Sequence, residues 1–256
     1  MTERELFDFL EYKAEYYENP KFLETDPVQI PNRFTKKEDI EIAGFLAATI
    51  AWGNRKSIIT NANWLLEIME QQPHSFVLAY QTPKTLYPFV HRTFNAIDLD
   101  YFFRALQRLY TEYLDMESFF RQAIGTESLQ TAIHQFKDYF FKDPFPARTQ
   151  KHISDPLKNS AAKRINMFLR WMVRSSAKGV DLGIWNTLSP SQLSCPLDVH
   201  SGNVARHLGL LQRKQNDAKA VAELDQALRR FDSNDPVKYD FALFGLGVFE
   251  KFGTSK

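Results

Sequence analysis

Two stretches decide the reading of this chain: Lys163-Arg164-Ile165-Asn166-Met167-Phe168-Leu169-Arg170-Trp171-Met172-Val173-Arg174, and further on Cys195-Pro196-Leu197-Asp198-Val199-His200. The first has the apolar spacing of a helix, and the second leads into another one. A lysine on one helix and an aspartate at the mouth of the next can set an amine nucleophile beside a carboxylate. The rest of the chain reads as a scaffold that brings the two together.

The chain has 256 residues, enough for one large domain or two small lobes with a sizeable core. Hydrophobic residues make up 44% and charged residues 25%, ordinary for a globular protein, while the 22 Phe point to an aromatic-rich helical core. The net charge of +1 excludes a polyanion binder built on overall charge. Local charge differs: Lys137 to Lys178 holds ten Lys/Arg against three Asp, a net of +7. Such a run is usually a solvated face, but around a candidate site it favours a phosphate-rich partner. The single cysteine, Cys195, allows no intramolecular disulfide and no cysteine metal cluster, and no cofactor or metal is called for. The charged start lacks the apolar run of a signal peptide, and no stretch nears the roughly 20 apolar residues of a membrane span. The expectation is a cytoplasmic, monomeric protein with no membrane partner.

Nearly every periodic segment has helical spacing, and no convincing alternating strand is found, which predicts an all-α fold. Helices are predicted at 3–17, at 36–51 behind a Thr35…Glu38 capping box, at 56–70, at 75–80 and 83–88, and at 99–114 capped by Asp98 or Asp100. Further helices are predicted at 117–123, 127–141, 163–174, 199–208, 217–231 behind Asp217, and from Pro236 to near Phe252. Residues 24–35 and 142–160 read as loops, and 175–195 as a long patternless connection.

Taken alone, Lys163 reads as a solvated charge. Catalysis needs a neutral amine, which burial and neighbouring cations such as Arg164 and Lys158 promote. Asp198 reads most simply as a helix N-cap worth about 1 kcal/mol. A capping carboxylate can also stabilise a developing cation or take a proton from the lysine. His200 reads as a satisfied structural histidine and Cys195 as a buried, inert thiol. Trp52-Gly53-Asn54-Arg55 sits in a sharp break between two helices: a turn with a packed Trp, or an exposed tip that enters a nucleic-acid groove. No dinucleotide fingerprint, P-loop, HExxH, GxSxG or EF-hand pattern is present.

In this order, the pieces resemble the helix-hairpin-helix/GPD superfamily of DNA glycosylases. Glu41–Arg55 looks like its early core helix and gap-filling loop, and Phe94-Asn95-Ala96 with the next helix like its asparagine turn. Lys163–Leu169 looks like the second helix of the hairpin, whose first residue is the Schiff-base lysine of bifunctional members. Pro196-Leu197-Asp198-Val199-His200 resembles the motif of the essential aspartate. Within the superfamily the chain resembles the archaeal 8-oxoguanine glycosylase branch and also a bacterial family of unknown function. The departures are a hairpin, Asp155–Ala162, without glycine, a spacing of 35 positions from Lys163 to Asp198, and no iron–sulfur cysteines.

The resemblance implies two helical lobes with a central cleft: 36–195 as the central lobe with the hairpin, and 1–35 plus 196–256 as the second. It implies a DNA glycosylase, with or without lyase activity, that excises a damaged, oxidised purine from double-stranded DNA. Lys163 is then the nucleophile and Asp198 its carboxylate. Trp52, Asn54 and Arg55 fill the gap, Lys158, Ser160, Arg164 and His200 contact DNA, and Trp185 stacks on the base. The alternatives are a non-catalytic nucleic-acid-binding relative and a structural or partner-binding helical protein.

Overall fold

A computed structural model describes residues 1–125 and 127–253. Eleven α-helices are found among them: α1 Glu3–Tyr17, α2 Lys37–Thr49, α3 Arg55–Ile68, α4 Pro73–Leu78, α5 Ala96–Glu112, α6 Met116–Ile124, α7 Leu129–Phe140, α8 Lys163–Val173, α9 Val199–His207, α10 Ala218–Phe231 and α11 Tyr239–Val248. Short 3-10 turns join several of them, so the chain is essentially all-α. The one sheet is a two-residue antiparallel hairpin, β1 Val90–His91 with β2 Phe94–Asn95, closed by Arg92 at φ 53°. It is too short to show alternation in the sequence.

Caps explain where the helices start. Asn95, not Asp98 or Asp100, caps α5, and Asp98 completes the capping box from the third position. The expected Thr35…Glu38 box does not form: the cap position is Lys36, which offers no side-chain acceptor, and Asp39 of the first turn accepts instead from the His74 N–H of α4. The helix expected at 83–88 is irregular chain. Tyr80 and Thr82 both donate to Asp100, pinning the chain that leads into it, and Pro83 and Pro88 bracket it. The final helix begins at Tyr239 because Pro236–Lys238 forms a 3-10 turn first.

The chain divides into two compact units, Met1–Phe22 with Asp155–Lys256, and Leu23–Ser154. This differs from the division at 35 and 195 implied by the resemblance. Residues 27–33 fold as turns against α2 and so join the second unit. Asn159 and Ser160 of the hairpin bond to Asp217 and Ala218, which ties the hairpin and α8 to the first.

The second unit is built on α2, whose residues Ile40–Thr49 are all buried. Around it lies an aromatic core: Phe45 packs on Phe102, Phe136 and Phe140, and Phe120 on Phe136. Buried Glu41 accepts from the Tyr110 hydroxyl and from the Met116 and Glu117 amides, so one carboxylate satisfies the start of α6. The core of the first unit joins Leu10 and Ala14 of α1 to Leu197, Val204, Leu224, Leu228, Leu243 and Leu246. There α1 lies against α11 so closely that a Cβ on Gly245 would stand 2.2 Å from the Tyr17 ring.

Candidate functional site

Lys163 is the first residue of α8, at the positive end of the helix dipole. The hairpin that delivers it runs through a 3-10 turn at Pro156–Lys158 and two left-handed residues, Asn159 at φ 64° and Ala162 at φ 47°. The glycine-free hairpin therefore adopts conformations that usually select glycine, at roughly 1 kcal/mol or more for an alanine. The Ser160 hydroxyl accepts from the Ala162 amide and braces the second of them.

Asp198 caps α9. Its Oδ1 accepts from the His200 and Ser201 amides at 2.8 and 3.0 Å and from the Ser201 hydroxyl at 3.2 Å. That leaves Oδ2, which stands 4.0 Å from Lys163 Nζ. The two side chains are 28% and 21% exposed, so the pair is open to solvent on one side and packed on the other. Both plain readings therefore hold at once: Asp198 is an N-cap, and its second oxygen faces an amine.

Behind the pair lies a buried charge network that the sequence reading did not single out. Asn166, Arg170 and Arg174 follow Lys163 along one face of α8 at helical spacing. Arg170 donates to Asp181 at 3.2 Å and to Asp240 at 2.5 Å. Arg174 donates to Glu18, Asp181 and Asp235 at 2.6 to 3.2 Å. Burial, opposed by Arg170 and Lys163 and helped by the Asp198 charge, pushes the Asp240 carboxyl up to about 6. Burial also pushes the Cys195 thiol well up, with Asp240 and Asp225 adding to it, so this thiol is neutral at ordinary pH and inert. Its sulfur lies 3.6 Å from Asp240, and its amide donates to Asp225 of α10.

Lys158 is exposed and 3.7 Å from Asp155. Arg164 is half-buried at the start of α8. His200 is exposed, which corrects the expectation of a satisfied structural histidine. Trp185 cannot stack on a base: it is 2% exposed and packs edge-on against Phe168 at 5.6 Å. The cause is local. The amides of Leu182, Gly183 and Trp185 bond to the Trp171 and Met172 carbonyls, folding this segment back over the end of α8. Gly183, at φ 58°, permits it, since a Cβ there would meet the Arg174 carbonyl at 2.9 Å.

Trp52, Asn54 and Arg55 belong to the second unit. Trp52 is half-buried, edge-on to His91 at 5.0 Å, and its carbonyl accepts from His91 Nε2–H. The Asn54 side chain caps α3 through Ser57 N, and Arg55 donates to Thr25. Gly53 and Asn54 are exposed while Trp52 and Arg55 are half-buried, so the turn carries a partly packed ring beside an exposed polar tip. The basic run is also largely neutralised. Besides Arg170 and Arg174, Lys142 pairs with Glu112, Lys178 with Glu15, and Arg148 reaches Asp98. Among the described residues no group of three or more His, Cys, Asp or Glu is placed to hold a metal ion, and no helix is long and apolar enough to cross a membrane.

Fold and site together define a helical protein of two compact units with a lysine–aspartate pair at two helix starts. Residues 26–249 match the family model DUF2400, described as a protein of unknown function, and the chain belongs to that family. No curated protein and no solved structure matches it.

Proposed function

We propose that the chain is a DNA glycosylase of the helix-hairpin-helix type, with lyase activity, acting on a damaged, oxidised purine. The observation that carries the reading is the 4.0 Å approach of Lys163 Nζ to Asp198 Oδ2, at the starts of two helices whose sequences resemble that superfamily's reactive motifs. In this reading the neutral Lys163 amine attacks the anomeric carbon of a nucleotide flipped from the duplex. The N-glycosidic bond breaks, the base leaves with the electron pair and takes a proton, and ring opening leaves a Schiff base on Lys163. Asp198 Oδ2 accepts the amine proton and stabilises positive charge on the sugar, while Oδ1 stays bound to the α9 amides. The left-handed hairpin and exposed Lys158 support contact with phosphate.

The test is borohydride trapping on duplexes carrying 8-oxoguanine or an abasic site. We expect a covalent adduct with the wild type and none with Lys163→Gln. Asp198→Asn keeps a capping oxygen and removes the charge, so it should fold normally and trap about 100-fold more slowly or worse. No adduct and no base release across the lesions would sink this reading. A second reading, a helical partner-binding protein in which the pair is structural, is favoured by the neutralised basic run. It calls for no salt-dependent affinity for duplex DNA.

A further inference from the structure

The loop between α9 and α10 touches Asp198 and, on the other side, the hairpin that precedes Lys163. On the hairpin side, Asn159 Nδ2 donates to Asp217 Oδ2 at 3.2 Å, Ser160 pairs with Asp217 in an isolated antiparallel bridge, and Ala218 N reaches Asn159 O at 3.4 Å. On the aspartate side, Asn216 Nδ2 donates to the Asp198 carbonyl at 2.7 Å. Asn216 and Asp217 are neighbours in sequence, so a single peptide unit, about 3.8 Å from Cα to Cα, links the two attachments.

Both attachments are themselves held. Asn216 Oδ1 accepts from Arg206 Nη2 at 2.5 Å, and Arg206 Nε donates to the Arg213 carbonyl at 2.7 Å. Asp217 accepts from Arg213 Nε at 2.7 Å and caps α10 through Ala220 N at 3.1 Å. The Arg213 guanidinium draws the Asp217 carboxyl well below the usual range, so it stays an acceptor across ordinary pH. One end of the clamp thus grips Asn159, four residues ahead of Lys163, and the other grips the main chain of Asp198 itself.

We propose that Asn216 and Asp217 are positioning residues that set the spacing between the Lys163 amine and the Asp198 carboxylate. In the proposed glycosylase reading, on which their role in catalysis rests, they take over the pre-setting of a hairpin that lacks glycine. The two left-handed residues then keep their conformation because side chains outside the hairpin hold it.

The spacing can be read without DNA. A water-soluble carbodiimide activates a carboxylate and joins it to a contacting amine as an amide, releasing a urea. In the intact protein, peptide mass spectrometry should find a Lys163–Asp198 link and a Lys178–Glu15 link, the latter an exposed pair of the same unit at 2.5 Å. Asn216→Ala and Asp217→Asn should each lower the first link by about fivefold or more and leave the second unchanged, since a displacement near 1 Å is enough to separate reacting groups. Asn159→Gly removes only the amide that reaches Asp217 and suits the left-handed backbone, so it tests the hairpin end without altering the loop. The same selective loss is expected there. A Lys163–Asp198 link at the wild-type level in all three variants, or its absence from the wild type, would overturn the clamp. Failure of borohydride trapping would instead remove the glycosylase reading and leave the crosslinking result standing.

Discussion

Asp240 carries a free-energy cost that depends on pH. Its carboxyl keeps a proton up to about 6 in the folded chain, against about 4 when unfolded. Between those values the folded state binds more protons, so this group's contribution to stability falls as pH rises, by about 3 kcal/mol in all. Asp240→Asn has no such proton to lose. Urea titrations at pH 4, 5, 6 and 7 should therefore show the variant gaining on the wild type by about that amount across the range. A difference independent of pH would show that Asp240 ionises normally. Little of this was legible beforehand. Asp240 lies in a string of apolar residues, and its environment depends on Arg170, 70 positions away. By contrast Asp198 was legible, because an N-cap declares itself within four residues. Trp185 misled for the same reason in reverse: its burial depends on amides that reach back to the end of another helix.

At the scale of the element, α8 does two jobs with one face. Its start presents Lys163, and its last turn and C-cap bury Arg170 and Arg174 among carboxylates. In the sequence both arginines counted towards a basic surface, since a charge at helical spacing gives no sign of acidic partners as distant as Glu18. Arg174→Met removes the group that three carboxylates share: Glu18 and Asp181 stay buried, Asp181 keeping only Arg170, and the part-exposed Asp235 loses its guanidinium. We expect a loss of about 3–5 kcal/mol in denaturant unfolding. A loss below about 1 kcal/mol would mean that solvent already screens the network. Helix existence was largely readable along the chain, but starts were less so. The cap at Lys36 lies one residue from the predicted Thr35, and that at Asn95 lies three residues before Asp98, which closes the capping box from inside the helix instead.

The whole molecule is an insertion. Leu23–Ser154 forms one compact unit between the two segments that build the other. The inserted unit has its own aromatic core and its own capped helices, so a fragment covering 23–154 should show helical circular dichroism and a cooperative unfolding transition by itself. A chain started at Leu23 keeps that unit but strips α1 from the core formed with α11, and should lose the first unit's transition. A disordered 23–154 fragment would show that the division by contacts is not a division in stability. This layout is only weakly legible along the chain: chain ends that share a core are far apart in any local window.

The pairing of α1 with α11 also has a consequence during synthesis. The apolar face of α1 leaves the ribosome before α11, and roughly 220 residues must follow before its partner exists. At about 5–20 residues per second that is roughly 10–45 s. The inserted unit can complete itself within that interval, while the nascent first helix stays unburied. Leu6, Phe9, Leu10 and Ala14 are then apolar surface open to water until α11 is made.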